Sequence, residues 1–276
     1  MGDNSNYDDG FMDEESLWTS LFEMAEDFKG QEDVPVYENV NFYESSAVKE
    51  ERYHTPEEAL KVLFGYDSFR IGQRQVIDSI LSGRDAFAVM PTGAGKSVCY
   101  QIPAILLPGI TLVISPLISL MQDQVKALNE AGVSAAFINS SLSESAFYET
   151  VRKARQGLYK IIYVAPERLL TESFLSFALN ANISFISVDE VHCVSQWGQD
   201  FRPSYLKIVE FISKLPKRPV VGAFTATATK EVRDDVMRIL KLKDPKMVTT
   251  GFDRTNLSFY VKRTKDKKTE LTKILR

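Results

Sequence analysis

The feature that most constrains the fold is a glycine-rich segment between an apolar strand and a helical pattern. Residues 90–97 read MPTGAGKS and follow the apolar run 86–90. In a phosphate-binding loop, glycines let backbone N–H groups point at phosphates, a Lys reaches the β- and γ-phosphates, and a Ser hydroxyl binds Mg²⁺. A helix that begins there adds the positive end of its dipole. The strict pattern starts with Gly, and Met90 is a departure from it. The residues expected to hold the phosphates are Thr92, Gly93, Ala94, Gly95, Lys96 and Ser97.

A pair of carboxylates follows another apolar strand. Residues 185–188 are apolar apart from one Ser, and they lead into Asp189, Glu190, Val191 and His192. In nucleotide hydrolysis a carboxylate at a strand end holds Mg²⁺, usually through water, and a neighbouring group orients the attacking water. Asp189 suits the first role and Glu190 the second. An ordinary acidic turn is the alternative, which the phosphate loop upstream disfavours. Together the two motifs predict a nucleotide-hydrolysing lobe.

Apolar strands alternate with helical patterns through most of the chain. A capping box at residues 55–58 (TPEE) opens a helix that runs through Phe64. The alternation predicts an α/β fold with a mainly parallel sheet and helices on both faces. The predicted strands are 86–90, 111–115, 135–139, 161–165, 184–189 and 220–224, and the further predicted helices are 73–82, 97–107, 117–131, 144–156, 173–181, 204–214 and 229–241.

Charge separates an acidic amino-terminal segment from a basic remainder. Residues 1–52 hold 15 acidic and 3 basic residues, whereas residues 53–276 hold 22 acidic and 30 basic ones. A basic body favours a polyanionic partner. The composition of residues 1–52 predicts a largely disordered acidic tail. A second interpretation stays open, a helix that docks on a basic or grooved protein partner, because apolar residues recur at helical spacing: Leu17, Leu21, Met24, Ala25 and Phe28.

Targeting and cysteine patterns favour a cytoplasmic protein with no membrane segment. The amino terminus lacks the basic start and apolar run of a secretory signal. Residues 97–122 contain no charge, but Pro and Gly interrupt them, so we interpret this stretch as buried core rather than a membrane span. Cys99 and Cys193 are too few for a disulfide framework or a four-ligand zinc site. We expect both thiols to stay reduced.

Several further stretches carry a resemblance to a known family. The chain resembles the RecQ family of superfamily 2 DNA helicases between residues 54 and 260. Residues 196–198 (QWG) and 201–203 (FRP) are the most diagnostic, because the related DEAD-box RNA helicases lack them. The other matching stretches are 64–66 (FGY), 69–73 (FRIGQ), 115–121 (SPLISLM), 165–169 (APERL), 189–192 (DEVH), 193–195 (CVS), 224–229 (FTATAT) and 252–254 (FDR), besides the phosphate loop.

The resemblance implies a RecA-like lobe that binds ATP and Mg²⁺, and it implies roles for single residues. Tyr66, Arg70 and Gln73 match the family's adenine-recognition motif. Lys96 and Ser97 would hold phosphate and metal, Asp189 the metal, and Glu190 the attacking water. His192 and Gln196 would couple the nucleotide to a loop that senses single-stranded or partly duplex DNA. That loop would use Trp197, Phe201 and Arg202. Ser115, Pro116 and residues 225–227 match family motifs that contact DNA or couple it to hydrolysis.

Core packing is the alternative for Trp197 and Phe201, and turn formation is the alternative for the Ser and Thr residues. Two residues depart from the family pattern. Val191 replaces the usual Ala in the acidic box, which keeps both carboxylates and the His. Gln199 stands where His is frequent.

The expected domains are an acidic tail at 1–52, the ATP-binding lobe at 53–263, and a linker or start of a truncated second lobe at 264–276. The second lobe of such helicases supplies an arginine finger.

Three hypotheses for the function follow. The first is a RecQ-type ATP-dependent DNA helicase, for which the family suggests 3′-to-5′ unwinding in DNA repair and recombination. The second is a standalone nucleotide- and DNA-binding module with little catalysis. The third, an RNA helicase, is disfavoured by the aromatic stretch. A gene that continues downstream would favour the first, and a stop codon at 276 the second. The location would be cytoplasmic, nucleoid-associated in a bacterium. The oligomeric state stays open.

Overall fold

The computed structural model describes residues 53–198, 200–251, 258, 260–261 and 263–275. The predicted acidic tail, Gln199 and the stretch 252–254 lie outside these residues. Within the described part, the strands are β1 Ala86–Val89, β2 Ile110–Ile114, β3 Ala135–Ile138, β4 Ile161–Val164, β5 Ile183–Val188, β6 Val220–Thr225 and β7 Lys246–Thr249. They form one sheet in the order β3-β4-β2-β5-β6-β1-β7, and every pairing is parallel.

Helices connect the strands, as the alternating pattern predicts. They are α1 Pro56–Phe64, α2 Gln73–Leu81, α3 Lys96–Leu106, α4 Ile118–Glu130, α5 Glu144–Arg155, α6 Glu172–Asn180, α7 Lys207–Lys214, α8 Lys230–Ile239 and α9 Lys267–Ile274. The capping box at α1 is formed on both sides, since Thr55 Oγ1 accepts from Glu58 N (3.2 Å) and Glu58 Oε2 accepts from Thr55 N (3.2 Å). The predicted helix 204–214 begins instead as a 3-10 turn, Pro203–Leu206.

Burial in the core explains why most strands could be predicted from the sequence. All residues of β1, β2, β3 and β4 are buried, which requires near-continuous apolar runs. The uncharged stretch 97–122 supplies most of α3, all of β2 and the start of α4, so the interpretation as core is confirmed. Among the described helices, none combines the length and the apolar character that a membrane crossing requires. Both cysteines are buried and free.

Strand β7 is absent from the sequence prediction. It pairs with β1 only, at the edge of the sheet, and of its four residues only Val248 is buried. An edge strand exposed on one side needs no continuous apolar run. Its sequence, KMVT, therefore lacks the signal that identifies the central strands.

A buried aspartate joins the amino-terminal ends of three neighbouring strands. Asp85, directly before β1, is only 2% exposed and pairs with Arg218 through Nη2 (2.6 Å) and Nη1 (3.1 Å). Its carboxylate also accepts from the backbone N–H groups of Val221 (2.9 Å) and Lys243 (2.7 Å). Burial of a charge is tolerated when it is paired and hydrogen-bonded in this way. The contact fixes β1, β6 and the approach to β7 at the edge opposite the phosphate loop.

We expect Asp85→Asn to lower the free energy of unfolding by about 3 kcal/mol, because the amide removes the ion pair and turns a donor toward N–H groups. The measurement is chemical denaturation of the 276-residue chain. Asp244→Asn is the matched control: Asp244 also pairs with an arginine (Arg84, 3.1 Å) but its side chain is 88% exposed. That change should cost less than about 1 kcal/mol. Equal losses in the two variants would contradict the structural role given to Asp85.

Candidate active site

The phosphate loop closes as a tight turn between β1 and α3. Gly93 and Gly95 have φ angles of 82° and 84°, a left-handed conformation that glycine adopts without steric cost. A Cβ atom on Gly95 would lie 2.4 Å from Gln73 Nε2. Gly95 is therefore required both by backbone conformation and by space. Helix α3 begins at the next residue, Lys96, so its amino-terminal N–H groups open onto the loop.

The departure at Met90 has a structural reason. The Met90 side chain is fully buried, and its N–H donates to Thr225 O (3.0 Å), which extends the pairing of β1 with β6 by one residue. Met90 thus belongs to the end of the strand rather than to the curved part of the loop. Its carbonyl oxygen accepts from Lys96 Nζ (3.3 Å), which holds the ammonium group across the loop.

The predicted adenine residues lie against the phosphate loop. Gln73 is only 3% exposed; its Nε2 donates to Gly95 O (3.0 Å) and its Oε1 accepts from Arg70 N (2.8 Å). The Arg70 guanidinium donates to Gly93 O. Tyr66 stays 51% exposed. Gln73 is therefore a buried link between the start of α2 and the loop.

The two carboxylates differ in their surroundings. Asp189 ends strand β5 and is 5% exposed. Burial raises the pKa of Asp189 to about 6, and the neighbouring Glu190 carboxylate adds to the increase. A hydrogen bond from His192 lowers the pKa of Glu190, with a smaller contribution from Lys96. Glu190 has a φ of 46°, a rare conformation for a residue with a side chain that is found at functional turns.

His192 links the carboxylates to strand β6. Its Nδ1 lies 3.3 Å from Glu190 Oε2 and 2.9 Å from Thr225 Oγ1. The Thr225 hydroxyl donates to Thr227 O (2.9 Å), so we assign the proton between His192 and Thr225 to Nδ1. His192 therefore bridges the residue expected to orient water and the segment 225–227. Gln196 is exposed, beyond the 3-10 turn Val191–Val194 that carries His192.

The aromatic loop, which we define as residues 195–202, leaves the same turn. Trp197 is 75% exposed, so the alternative of core packing does not apply to it. Phe201 is partly buried against the main core. Arg202 pairs with Asp200 (3.0 Å). The structure brings Trp197 and Arg202 to one loop, as the sequence pattern indicated.

The loop after β2 reaches the aromatic loop. Pro116 O accepts from Arg202 Nη1 (3.3 Å). Ser115 is 2% exposed, and its hydroxyl has no hydrogen-bond partner within the described residues. The two stretches expected to contact DNA are thus neighbours, although Ser115 itself is buried beneath the surface.

One cavity of about 680 Å³ is lined by the predicted nucleotide residues except Ala94. It is lined by the adenine motif, the phosphate loop and both carboxylates, among them Tyr66, Arg70, Gln73, Thr92, Gly93, Gly95, Lys96, Ser97, Asp189 and Glu190. The described residues include no cluster of three or more His, Cys, Asp or Glu side chains with a metal-site arrangement. Ser97 and Asp189 fit Mg²⁺, which keeps several waters and takes one or two carboxylates plus phosphate oxygens.

Two contributing residues are missing from the sequence analysis. Tyr205 is buried and its hydroxyl donates to Asp189 O (3.0 Å), which fixes the strand end. Asp235 accepts from Ser195 Oγ (2.8 Å) at the start of the aromatic loop. The only available signal for Asp235 is its place on α8, next to the buried Val236.

Comparisons with known proteins identify the family of the chain. A family model described as DEAD/DEAH box helicase matches residues 70–235. The chain is 47% identical over 209 residues to the ATP-dependent DNA helicase RecQ of Bacillus subtilis, which covers 75% of this chain and 35% of that protein. It is 45% identical over 202 residues to the RecQ helicase of Pasteurella multocida, covering 73% of this chain and 32% of the relative. The chain thus spans about a third of the length of these curated relatives.

A solved structure supports the fold. The DUF1998 helicase MrfA bound to DNA superposes with a TM-score of 0.56 at 18% identity, over 71% of this chain and 28% of that one. At this identity the likeness concerns the fold alone. The expected RecA-like helicase lobe is confirmed.

We expect Asp189→Asn to raise the midpoint of thermal unfolding at pH 8 in the absence of nucleotide. Folding raises the pKa of Asp189 from 3.8 to about 6, so between these pH values the folded chain holds a proton that the unfolded chain has released. Stability is consequently lost as the pH rises from about 4 to about 6. The variant should regain about 3 kcal/mol above that window and little near pH 4.

Calorimetry at the two pH values provides the measurement. Asp123→Asn, at an exposed position of α4, is the matched control and should leave the midpoint unchanged at both. If Asp189→Asn instead lowers the midpoint at pH 8, the ionised carboxylate stabilises the fold, and the prediction is contradicted.

Proposed function

The chain belongs to the DEAD/DEAH box helicase family, and from its similarity to RecQ helicases we propose that it provides the ATP-binding lobe of a RecQ-type DNA helicase. In this proposal residues 53–263 form the lobe, residues 264–276 lead toward a second lobe, and the whole enzyme couples ATP hydrolysis to 3′-to-5′ unwinding in repair and recombination. The observation that carries the proposal is the continuity of residues 189–202. One segment holds the two carboxylates at the nucleotide cavity and the exposed Trp197.

ATP would enter the cavity with its phosphates at the start of α3. Lys96 Nζ donates to the carbonyl oxygen of Met90 at 3.3 Å, and phosphate oxygens are stronger partners for an ammonium group. Ser97 and Asp189 would hold Mg²⁺, which would neutralise charge that develops on the phosphates. The cation would also favour the ionised form of the buried Asp189.

Glu190 would orient the attacking water. A carboxylate with a lowered pKa stays ionised at neutral pH and accepts hydrogen bonds from water. Because its pKa is lowered, Glu190 is a weak base. We therefore give it the role of orienting the water rather than of accepting the water's proton. Tyr66, with its half-exposed ring, and the Arg70–Gln73 pair would recognise adenine at the mouth of the cavity.

Single-stranded DNA would bind at the aromatic loop. An exposed indole offers a stacking surface for a base, worth about 1–3 kcal/mol in such complexes. Arg202 is paired with Asp200 at 3.0 Å, and a DNA phosphate could replace this carboxylate as its partner. Phe201 would support the loop from below. In a bacterium, a DNA substrate would place the protein in the cytoplasm, at the nucleoid. The acidic segment 1–52 would bind a basic protein partner rather than DNA.

The test is ATP hydrolysis by the 276-residue chain with and without an oligo(dT) strand. We expect stimulation by DNA, and a loss of about a hundredfold in Lys96→Ala because one preorganised cation at the phosphates is removed. Lys214→Ala removes a lysine from the end of α7, at the opposite edge of the sheet, and should hydrolyse ATP normally.

Three other outcomes would change the proposal. ATP and DNA binding without turnover would favour a binding module that requires the arginine finger of a second lobe. Stronger stimulation by oligo(U) than by oligo(dT) would favour an RNA helicase. A chain that fails to bind ATP would exclude the role given to the phosphate loop.

A further inference from the structure

A buried hydrogen-bond chain anchors the aromatic loop to a helix outside the nucleotide site. Ser195, the first residue of the loop, is fully buried. Its hydroxyl donates to Asp235 Oδ2 (2.8 Å) and accepts from Trp197 N (3.2 Å). Asp235 Oδ1 accepts from Arg238 Nη2 (2.7 Å), one turn further along α8, and its side chain is 13% exposed. A hydroxyl-to-carboxylate bond of this kind is charge-assisted and stronger than a neutral one.

We propose that Asp235 is a positioning residue for DNA recognition: it holds Ser195, and through Ser195 the backbone of Trp197, in the arrangement that presents the indole. The inference rests on the proposed function of the aromatic loop. Asp235 touches neither the nucleotide cavity nor, by this assignment, the DNA. It acts through the loop.

Packing alone does not hold Trp197 in place. With 75% of its surface exposed, the indole has few apolar contacts, so polar bonds to its backbone set its position. Gly198 N also donates to Ser195 O (3.0 Å), and a Cβ on Gly198 would lie 2.4 Å from His192 O. Both bonds converge on Ser195. Removing the partner of Ser195 therefore loosens the loop at its base.

The helix itself does not require an acid at position 235. Aspartate is a poor residue in a helix interior, and a largely buried carboxylate is costly unless it is bonded. Helix α8 packs its apolar face, Val232, Val236 and Ile239, toward the core. Asp235 lies beside that face, and its described partners are Ser195 and Arg238. The link to the loop is the interaction that accounts for an acid at this place.

Because Asp235 is negatively charged, the direction of the change in DNA affinity on its removal tests the proposal. Removing any carboxylate near a DNA-binding surface reduces repulsion of phosphates and should strengthen DNA binding. If Asp235 positions the loop, its removal weakens binding despite the favourable change in charge. Asp234 is the matched control because it is adjacent on the same helix, carries the same charge and is exposed.

The experiment measures two properties of the 276-residue chain. The first is hydrogen exchange of the loop amides, Trp197 and Gly198, without DNA. The second is binding of a fluorescent oligo(dT) strand by anisotropy. For Asp235→Ala we expect loop exchange to accelerate and oligo(dT) affinity to fall, each by about tenfold, which corresponds to the loss of one hydrogen bond. Amides of β6 should keep their protection, which shows that the variant is folded.

Further variants separate positioning from general destabilisation. Asp235→Asn keeps an oxygen that can accept from Ser195, and it should restore affinity to within about threefold of the parent chain. Asp234→Ala should bind oligo(dT) as well as the parent or better. Ser195→Ala should match Asp235→Ala, and the double variant should be no worse than either single change.

Each contrary result would overturn the proposal. Tighter DNA binding in both Asp234→Ala and Asp235→Ala would reduce Asp235 to a repelling charge. Unchanged hydrogen exchange of the loop in Asp235→Ala would show that the loop does not depend on the Ser195–Asp235 hydrogen bond. Additive effects in the double variant would show that Ser195 and Asp235 act independently. If the parent chain binds no oligo(dT), the proposed function fails, whereas hydrogen exchange still decides whether Asp235 holds the loop.

Discussion

All strands of the sheet run in the same direction, and the arrangement of the site depends on this constraint. In a parallel sheet the carboxyl ends of all strands open at one edge, where ligands bind in α/β folds. Strand β1 leads into the phosphate loop, β5 into Asp189, and β6 into residues 225–229. These segments are far apart in sequence but adjacent in the order β5-β6-β1. The opposite edge carries the Asp85–Arg218 pair.

The two ends of the strands differ in how far the charge of a buried carboxylate is compensated. Asp85 is buried with an arginine and two N–H donors around it, so its charge is compensated within the protein. Asp189 is also buried, but its pKa is raised to about 6. Burial and the Glu190 carboxylate raise this pKa by more than the nearby cations lower it. The proposed Mg²⁺ would supply positive charge at this position, because a divalent cation favours the ionised form of a carboxylate. The compensated Asp85 thus lies at one end of the strands, and the less compensated Asp189 lies at the other.

Local signals made much of the fold and site predictable. The central strands carry apolar runs because both faces of the sheet are covered, and the phosphate loop is encoded in eight consecutive residues. Strand β7 was missed because half-exposed edge residues have no such run. The burial of Gln73 was missed for another reason: it depends on carbonyl oxygens 21 and 22 residues away. The Ser195–Asp235 contact spans 40 residues, and a sequence pattern contains no information on such a pairing.

The segment that joins the carboxylates to the aromatic loop makes two short polar contacts with neighbouring elements. His192 contacts Thr225 at the end of β6 (2.9 Å), and Ser195 contacts Asp235 on α8 (2.8 Å). Residues 226–229 connect β6 directly to α8, so both contacts lead to the same structural unit. Thr225 also accepts from Met90 N, at the entrance to the phosphate loop. Strand β6 itself pairs in register with β1, so the pairing of the sheet fixes the end of the strand that His192 contacts. A movement of residues 226–229 and α8 would reach the base of the Trp197 loop through Ser195 and leave that pairing unchanged, and this is the route by which we expect the proposed nucleotide and DNA sites to be coupled.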